Sequence, residues 1–337
     1  MAESDKNEGE FIGSGRSGVV SKLESDGVTY AVKTFTAHDS LTKFICTVFL
    51  GAPNPYGWNR DAIACTHARR QILRSLLPLW QDVHAEVAQS FGTNWNEEHN
   101  AYELITEFID GRHSALYHPY SSDREHETAD LRSNVLRPLE KNLRDAGLKG
   151  MLWQAGYGNP SAESNFMIRD GKWIWIDLES GVPALFPLNV MKLFTFYLPE
   201  AIRNRRASFD EIDVSELKKY VNQSDFRDKM PSDKFEQLVT DIDTLAFHQK
   251  KWTDLKRIEK SVHYALARNR ISEADALKYC ASPLSWYCRE GARFIGLSLA
   301  KALKWTRKFV RKIVAFELLR FMRNGFNFVF SSAIRHQ

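Results

Sequence analysis

The sequence predicts an α+β fold with a two-layered outline, and three observations lead there. Residues 10–35 are dominated by β-forming runs punctuated by Gly, Asp and Ser. A single early helix separates those strands from the next one. Beyond Pro199 the pattern is helical throughout. Strands first and helices later is not the βαβ alternation of a parallel sheet.

Taken in order, Glu10–Ser14 runs into a glycine-rich turn, Val19–Leu23 follows, and Ser25-Asp26-Gly27 is a hairpin turn leading into Val28–Phe35. A Gly-, Pro- and Asn-rich loop over Gly51–Gly57 ends at Asn59, which is placed to cap a helix over Arg60–Leu79. There Ile63, Ala64, Ala68, Ile72, Leu73 and Leu76 recur at helical spacing. Tyr102–Ile109 is a strand closed by Asp110-Gly111. Asp130–Ala146 is a helix stopped by Gly147, a residue suited to the position just past a helix end. Phe166–Ile168 and Lys172–Ile176 are short apolar runs joined by Arg169-Asp170-Gly171, a strong hairpin signal. Later helices are expected near Val214–Val221, Lys234–Phe247, Asp254–Ala267 and Ser272–Tyr279.

The chain has 337 residues, 43% hydrophobic and 26% charged, enough to bury a substantial core. Its four cysteines lack C-x-x-C spacing, which fits a reducing, cytoplasmic compartment. The N-terminal MAESDKNEGE is too acidic and polar for a signal peptide. No uncharged apolar run approaches the roughly 18 residues of a membrane-spanning helix. His113, His118 and His126 have no metal-ligand spacing, and no G-x-S-x-G nucleophile elbow occurs. The net charge of +4 is unevenly spread. From Arg289 onward there are eleven Lys/Arg against Glu290 and Glu317, a net of +9, which leaves −5 for everything before.

Three elements carry chemistry. Gly13-Ser14-Gly15-Arg16-Ser17-Gly18-Val19-Val20 matches G-x-G-x-x-G-x-V and lies between two strands, whereas a dinucleotide-binding loop would open a helix. Glycines there let backbone N–H groups approach phosphate oxygens with no Cβ in the way. On the next strand, Ala31-Val32-Lys33 brings a lysine towards the same phosphates. Finally, Asn165 ends a loop, a tight hairpin follows, and Asp177 appears as the second strand leaves it. That geometry sets Asn165 and Asp177 side by side as oxygen ligands for Mg²⁺.

From Gly13 to about Asn189 these residues resemble the protein-kinase-like superfamily. The resemblance implies a two-lobed fold: an N-terminal lobe over 1–110, a helical lobe over 111–285 and a basic apolar helical tail over 286–337. It implies ATP under Gly13, Gly15, Gly18 and Val20, its phosphates oriented by Lys33, and Mg²⁺ on Asn165 and Asp177. Leu104–Gly111 would be the hinge, with Thr106 behind the adenine, the backbone of Glu107 and Phe108 bonding it, and Asp110 facing the ribose. The lysine's carboxylate partner would come from the following helix, where Asp61 is the nearest candidate and Glu86 a poorer one.

Departures accompany the resemblance. The position five residues before Asn165, where H-R-D-x-x-x-x-N carries its catalytic Asp, is Pro160. Glu179 replaces the glycine of D-F-G, and Asp-x-Glu is similar to choline-kinase-type small-molecule kinases, making Glu179 a candidate metal ligand. Glu163, the only acid in the loop before Asn165, is a candidate to position the acceptor hydroxyl. The implied activity is a phosphotransferase acting on a protein or small-molecule hydroxyl. A pseudokinase acting as a nucleotide-binding interaction module, and an adaptor working through its tail, stay open beside it. The tail itself reads either as a basic amphipathic helix at the inner, anionic membrane surface or as helices packed on the large lobe; a basic patch alone is poor grounds for nucleic acid.

Overall fold

A computed structural model describes residues 9–36 without Arg16, 40–113, 125–157, 160–180, 209–293, most of 295–311, and isolated positions between 194 and 202. The first eight residues, Arg16, His118, Gly158-Asn159, Gly181 and the chain beyond Arg311, on which the sequence also carries expectations, lie outside the described residues.

Two compact units divide the chain, 1–276 and 277–337. In the first, strands β1 (Glu10–Ser14), β2 (Val19–Ser25) and β3 (Val28–Thr34) form an antiparallel meander. Helices α1 (Ser40–Leu50) and α2 (Arg60–Leu76) follow, then β4 (Ala85–Val87), β5 (Ser90–Asn96), β6 (Ala101–Glu107) and β7 (Arg112–His113). The first sheet has the order β1-β2-β3-β6-β5, all antiparallel. Strands β8 (Phe166–Arg169) and β9 (Lys172–Trp175) join β4 and β7 in a second sheet ordered β4-β9-β8-β7.

Turn chemistry sets the hairpin that matters most. Asp170 and Gly171 have φ of 52° and 77°, the left-handed pair that lets a two-residue turn follow the twist of its strands. The β8–β9 register is thereby fixed, Phe166 opposite Trp175 and Arg169 opposite Lys172.

The Asn59 side chain caps α2, accepting from the Ala62 N–H at 2.8 Å. Helix α2 ends at Leu76, three residues before its expected limit, and passes into a 3₁₀ turn over Leu77–Leu79. Leu77 itself keeps α backbone, with φ −55° and ψ −44°, but Pro78 has no N–H to offer the Arg74 carbonyl, so the α-helical ladder stops there. The helix expected at Asp130 begins earlier. It comprises α3 (Glu125–Asp130), a π-helical stretch over Leu131–Leu136, and α4 (Arg137–Asp145). Pro138 cannot donate to the Asn134 carbonyl, which accepts from the His84 N–H instead at 3.2 Å.

Two apolar clusters support the sheets. One joins the inner face of α2 (Ile72, Leu73, Leu76) to Leu136, Leu139, Phe166, Trp175 and Leu238. The other gathers Phe35, Tyr56, Trp58, Ile63, Leu104 and Trp252. Helix α2 packs along the 23-residue helix Ser232–Asp254, so both of its ends are anchored. Helices over Val214–Gln223 and Arg257–Ala267 also belong to this unit, with short helices over Leu152–Ala155, Pro160–Glu163 and Phe226–Lys229, and the helix Glu273–Ala281 runs across its end at Ala276. In the second unit, every described residue from 283 to 311 is helical.

Candidate functional site

Lys33 lies in the middle of the first sheet, cross-paired with Val20 on β2 and Leu104 on β6. Its side chain is 12% exposed, and Nζ sits 2.6 Å from Asp177 Oδ1 and 3.4 Å from Glu179 Oε2. The ammonium also stands over the Phe35 ring, 5.3 Å from its centroid. One cation on β3 thus meets two carboxylates that follow β9, 144 and 146 residues away in sequence.

The β8–β9 hairpin explains why Asp177 is there. The Asn165 carbonyl accepts from the N–H of Ile176 at 2.9 Å and of Asp177 at 3.5 Å, closing the open end of the hairpin. The Asn165 side chain is oriented by Gln154, since Nδ2 donates to the Gln154 carbonyl at 2.9 Å and to its Oε1 at 2.7 Å. Both amide hydrogens are used, so Oδ1 is the atom Asn165 has to offer a cation.

The partner of Lys33 was expected on α2 or just after it, and the structure corrects this. Asp61 bonds His248 at 2.7 Å, and Glu86 bonds Lys172 at 2.8 Å. What α2 contributes is a cation, Arg70. Its Nε and Nη2 each lie 3.1 Å from one oxygen of Glu179, and Nη2 also donates to the Ile176 carbonyl at 2.8 Å. Arg70 and Glu179 side chains are 1% and 0% exposed, a buried fork-on-carboxylate pair. A base stands where an acid was expected, and the signal in the sequence was a pair of adjacent arginines, Arg69 and Arg70, among the apolar positions of an amphipathic helix.

Because the Arg70 fork engages both oxygens of Glu179, this residue is the anchor that ties α2 to the segment following the β8–β9 hairpin. Asp177, with 37% side-chain exposure, is the carboxylate a cation can reach. Burial alone would push Glu179 upward, but the Arg70 and Lys33 charges outweigh it and hold the carboxyl at about 2. Lys33 is raised, burial being overcome by the charges of Asp177 and Glu179. A carboxyl depressed from its ordinary 4.5 stabilises the fold fully above that value and loses its contribution as pH falls towards 2. Between those limits the unfolding free energy of the wild type should fall more steeply than that of Glu179→Gln, measured by urea denaturation across pH. Parallel slopes would contradict the pairing.

The glycine-rich turn separates two roles. Gly15 N–H donates to the Gly18 carbonyl at 2.8 Å. A Cβ on Gly18 would lie 2.1 Å from the Thr34 carbonyl oxygen, whereas one on Gly13 or Gly15 would meet nothing within 4 Å. Gly18→Ala should therefore lower the thermal midpoint. Gly15→Ala should leave the midpoint unchanged while weakening nucleotide binding, since only a ligand is then crowded; loss of stability in both variants would refute this division.

At the hinge, Thr106 is buried on β6 with Oγ1 donating to the Ala31 carbonyl at 3.2 Å. The Glu107 N–H donates to the Gln89 carbonyl at 2.8 Å, so that donor is spent within the fold and is not offered to an adenine. The Glu107 carboxylate accepts from Arg169 Nη1 and from the Gln89 N–H. Phe108 carries the Lys22 ammonium 5.6 Å from its ring centroid, and Asp110 is exposed. Glu163 is 2% exposed, its Oε1 held by Arg132 Nε and its Oε2 lacking a partner among the described residues. An acceptor hydroxyl would have to penetrate the packing to reach it, the setting of a structural carboxylate.

A second buried network braces the segment after Glu179. Asp210 Oδ2 accepts from the Tyr56 hydroxyl at 2.6 Å and from the Ser180 N–H at 2.9 Å. Arg69 donates to the Tyr56 hydroxyl at 2.6 Å and to the Asp210 carbonyl at 2.8 Å. Adjacent arginines on α2 thus hold Glu179 and, through Tyr56 and Asp210, Ser180.

With this geometry the described residues form a two-lobed, protein-kinase-like α+β fold. The strand order, the glycine-rich turn and the Lys33–Asp177 pair carry that assignment. No family model and no curated protein matches the chain. Among solved structures it is similar to the kinase domain of a maize sucrose-induced receptor kinase bound to AMP-PNP, at 12% identity over 71% of this chain and 92% of that one, TM-score 0.28. A Drosophila melanogaster pseudokinase matches at 9% identity over 83% and 69%, TM-score 0.27. A Leishmania major MAP kinase matches at 14% identity over 80% of each chain, TM-score 0.27. Scores of that size add no argument about activity.

Proposed function

We propose that this chain is an ATP- and Mg²⁺-dependent phosphotransferase acting on a hydroxyl acceptor, a protein or a small molecule, in the cytoplasm. The observation that carries it is the 2.6 Å contact of Lys33 with Asp177 beside a glycine-rich turn. The donor set fits the ion, because Mg²⁺ takes one or two protein oxygens and completes its shell with water and phosphate. Asp177 and Oδ1 of Asn165 would hold it. When bound, the metal would neutralise phosphate charge during transfer. On nucleotide entry Lys33 would exchange Asp177 for a phosphate oxygen and keep Glu179, whose charge Arg70 fixes in place. Gly13 and Gly15 would offer open backbone to the phosphates.

A second reading, a pseudokinase that binds nucleotide without transfer, is favoured by Pro160 in the usual base position and by the burial of Glu163. Incubation with γ-labelled ATP and Mg²⁺, with casein and a panel of sugar and amino alcohols as acceptors, separates the two. Label transfer that Asp177→Ala abolishes supports the enzyme. Metal-dependent binding without transfer supports the module, and no nucleotide binding at all removes both.

A further inference from the structure

The second unit bears a feature that the nucleotide site does not use. Projected at about 100° per residue, Leu284, Ile295, Leu299, Leu303 and Phe309 share an arc of about 120°. Arg289, Arg293, Lys301, Lys304, Arg307, Lys308 and Arg311 occupy the opposite arc of about 120° on the same projection. The apolar members are in solvent, Leu299 60%, Leu303 66% and Trp305, at the flank of the arc, 68% exposed. Seven cations face one acid, Glu290, which already bonds Arg289 and Arg293.

We propose that this helix lies in the interface of an anionic lipid surface, its apolar arc in the acyl boundary and its cations among the headgroups. Charge complementarity selects the occupant. A second copy of this helix would bring like-charged flanks together, and the one acid among those cations, Glu290, is already bonded to Arg289 and Arg293. The rest of the tail, with Lys312, Arg320, Arg323 and Arg335 against Glu317, supplies no anionic cover either. Nucleic acid would satisfy the cations but leave Leu299, Leu303 and Trp305 in water. Among the described residues no helix is long and apolar enough to cross a membrane, so the helix would lie on the surface. The proposal is independent of nucleotide binding.

Co-sedimentation of the full chain with mixed phosphatidylserine–phosphatidylcholine vesicles, and with pure phosphatidylcholine vesicles, tests it. The chain should pellet with the anionic vesicles, much less with the neutral ones, and be released by high salt. Each cation near such a surface strengthens binding roughly fivefold, so Lys304→Gln with Lys308→Gln should weaken it roughly twenty-fivefold. Leu299→Ser with Leu303→Ser should weaken it comparably, and since all four side chains are exposed the thermal midpoint should stay put in both variants. Equal pelleting with both lipids, no pelleting, or self-association broken by the leucine variant without vesicle binding would overturn the proposal.

Discussion

Arg70→Leu is expected to destabilise the protein by about 3–5 kcal/mol, the cost of leaving one partner of a buried ion pair alone. Glu179 would keep only the 3.4 Å contact to Lys33, in a position with no solvent access. Two further hydrogen bonds, to the Ile176 and Ala88 carbonyls, would vanish with the guanidinium. Arg70→Lys retains the charge without the fork and should fall between the two. Arg70→Leu combined with Glu179→Leu should recover most of the loss, because the isolated charge is then gone as well. Denaturant midpoints of the four proteins check this, and an Arg70→Leu variant within about 1 kcal/mol of wild type would show that the pair is not structural.

Asp177→Asn is expected to separate function from fold. The substitution keeps the volume and removes the charge from the one partly exposed carboxylate of the site, so stability should change little. Metal-dependent nucleotide affinity should drop on the order of a hundredfold, the upper end of what losing even a residue that only supports a metal ligand costs. Calorimetric titration with nucleotide at fixed Mg²⁺ measures it. The same variant should abolish any label transfer, because Asn165 alone cannot offset the phosphate charge.

These expectations depend on residues that differed in how readily they could be found from sequence. The β2–β3 and β8–β9 hairpins were legible because their turns need left-handed backbone, and Asp-Gly at 26–27 and 170–171 announces it. Helix α2 was legible from its periodicity and from Asn59. Helix α1 was not, since Ser40–Leu50 is rich in Thr, Phe, Val and Ile, residues that locally favour strands. Strand β5, which reads SFGTNWN, hides behind Gly and Asn and is stabilised by its pairing with β6. At the site, Lys33, Asn165 and Asp177 stood out by type and order, whereas Arg70 and Asp210 did not. Their partners lie 109 residues away, for Arg70 with Glu179, and 154 residues away, for Asp210 with Tyr56. Local spacing carries no information about such pairings.

On the proposed function, Lys33 and Asp177 form one site shared by nucleotide and metal. Titration of ATP into the wild type and Lys33→Met, each with and without Mg²⁺, tests it most directly. Wild type should bind ATP far more tightly with the metal, and Lys33→Met should lose at least tenfold of that affinity while unfolding at a similar temperature. Equal affinity with and without Mg²⁺, or a lysine variant that binds as well as wild type, would contradict it.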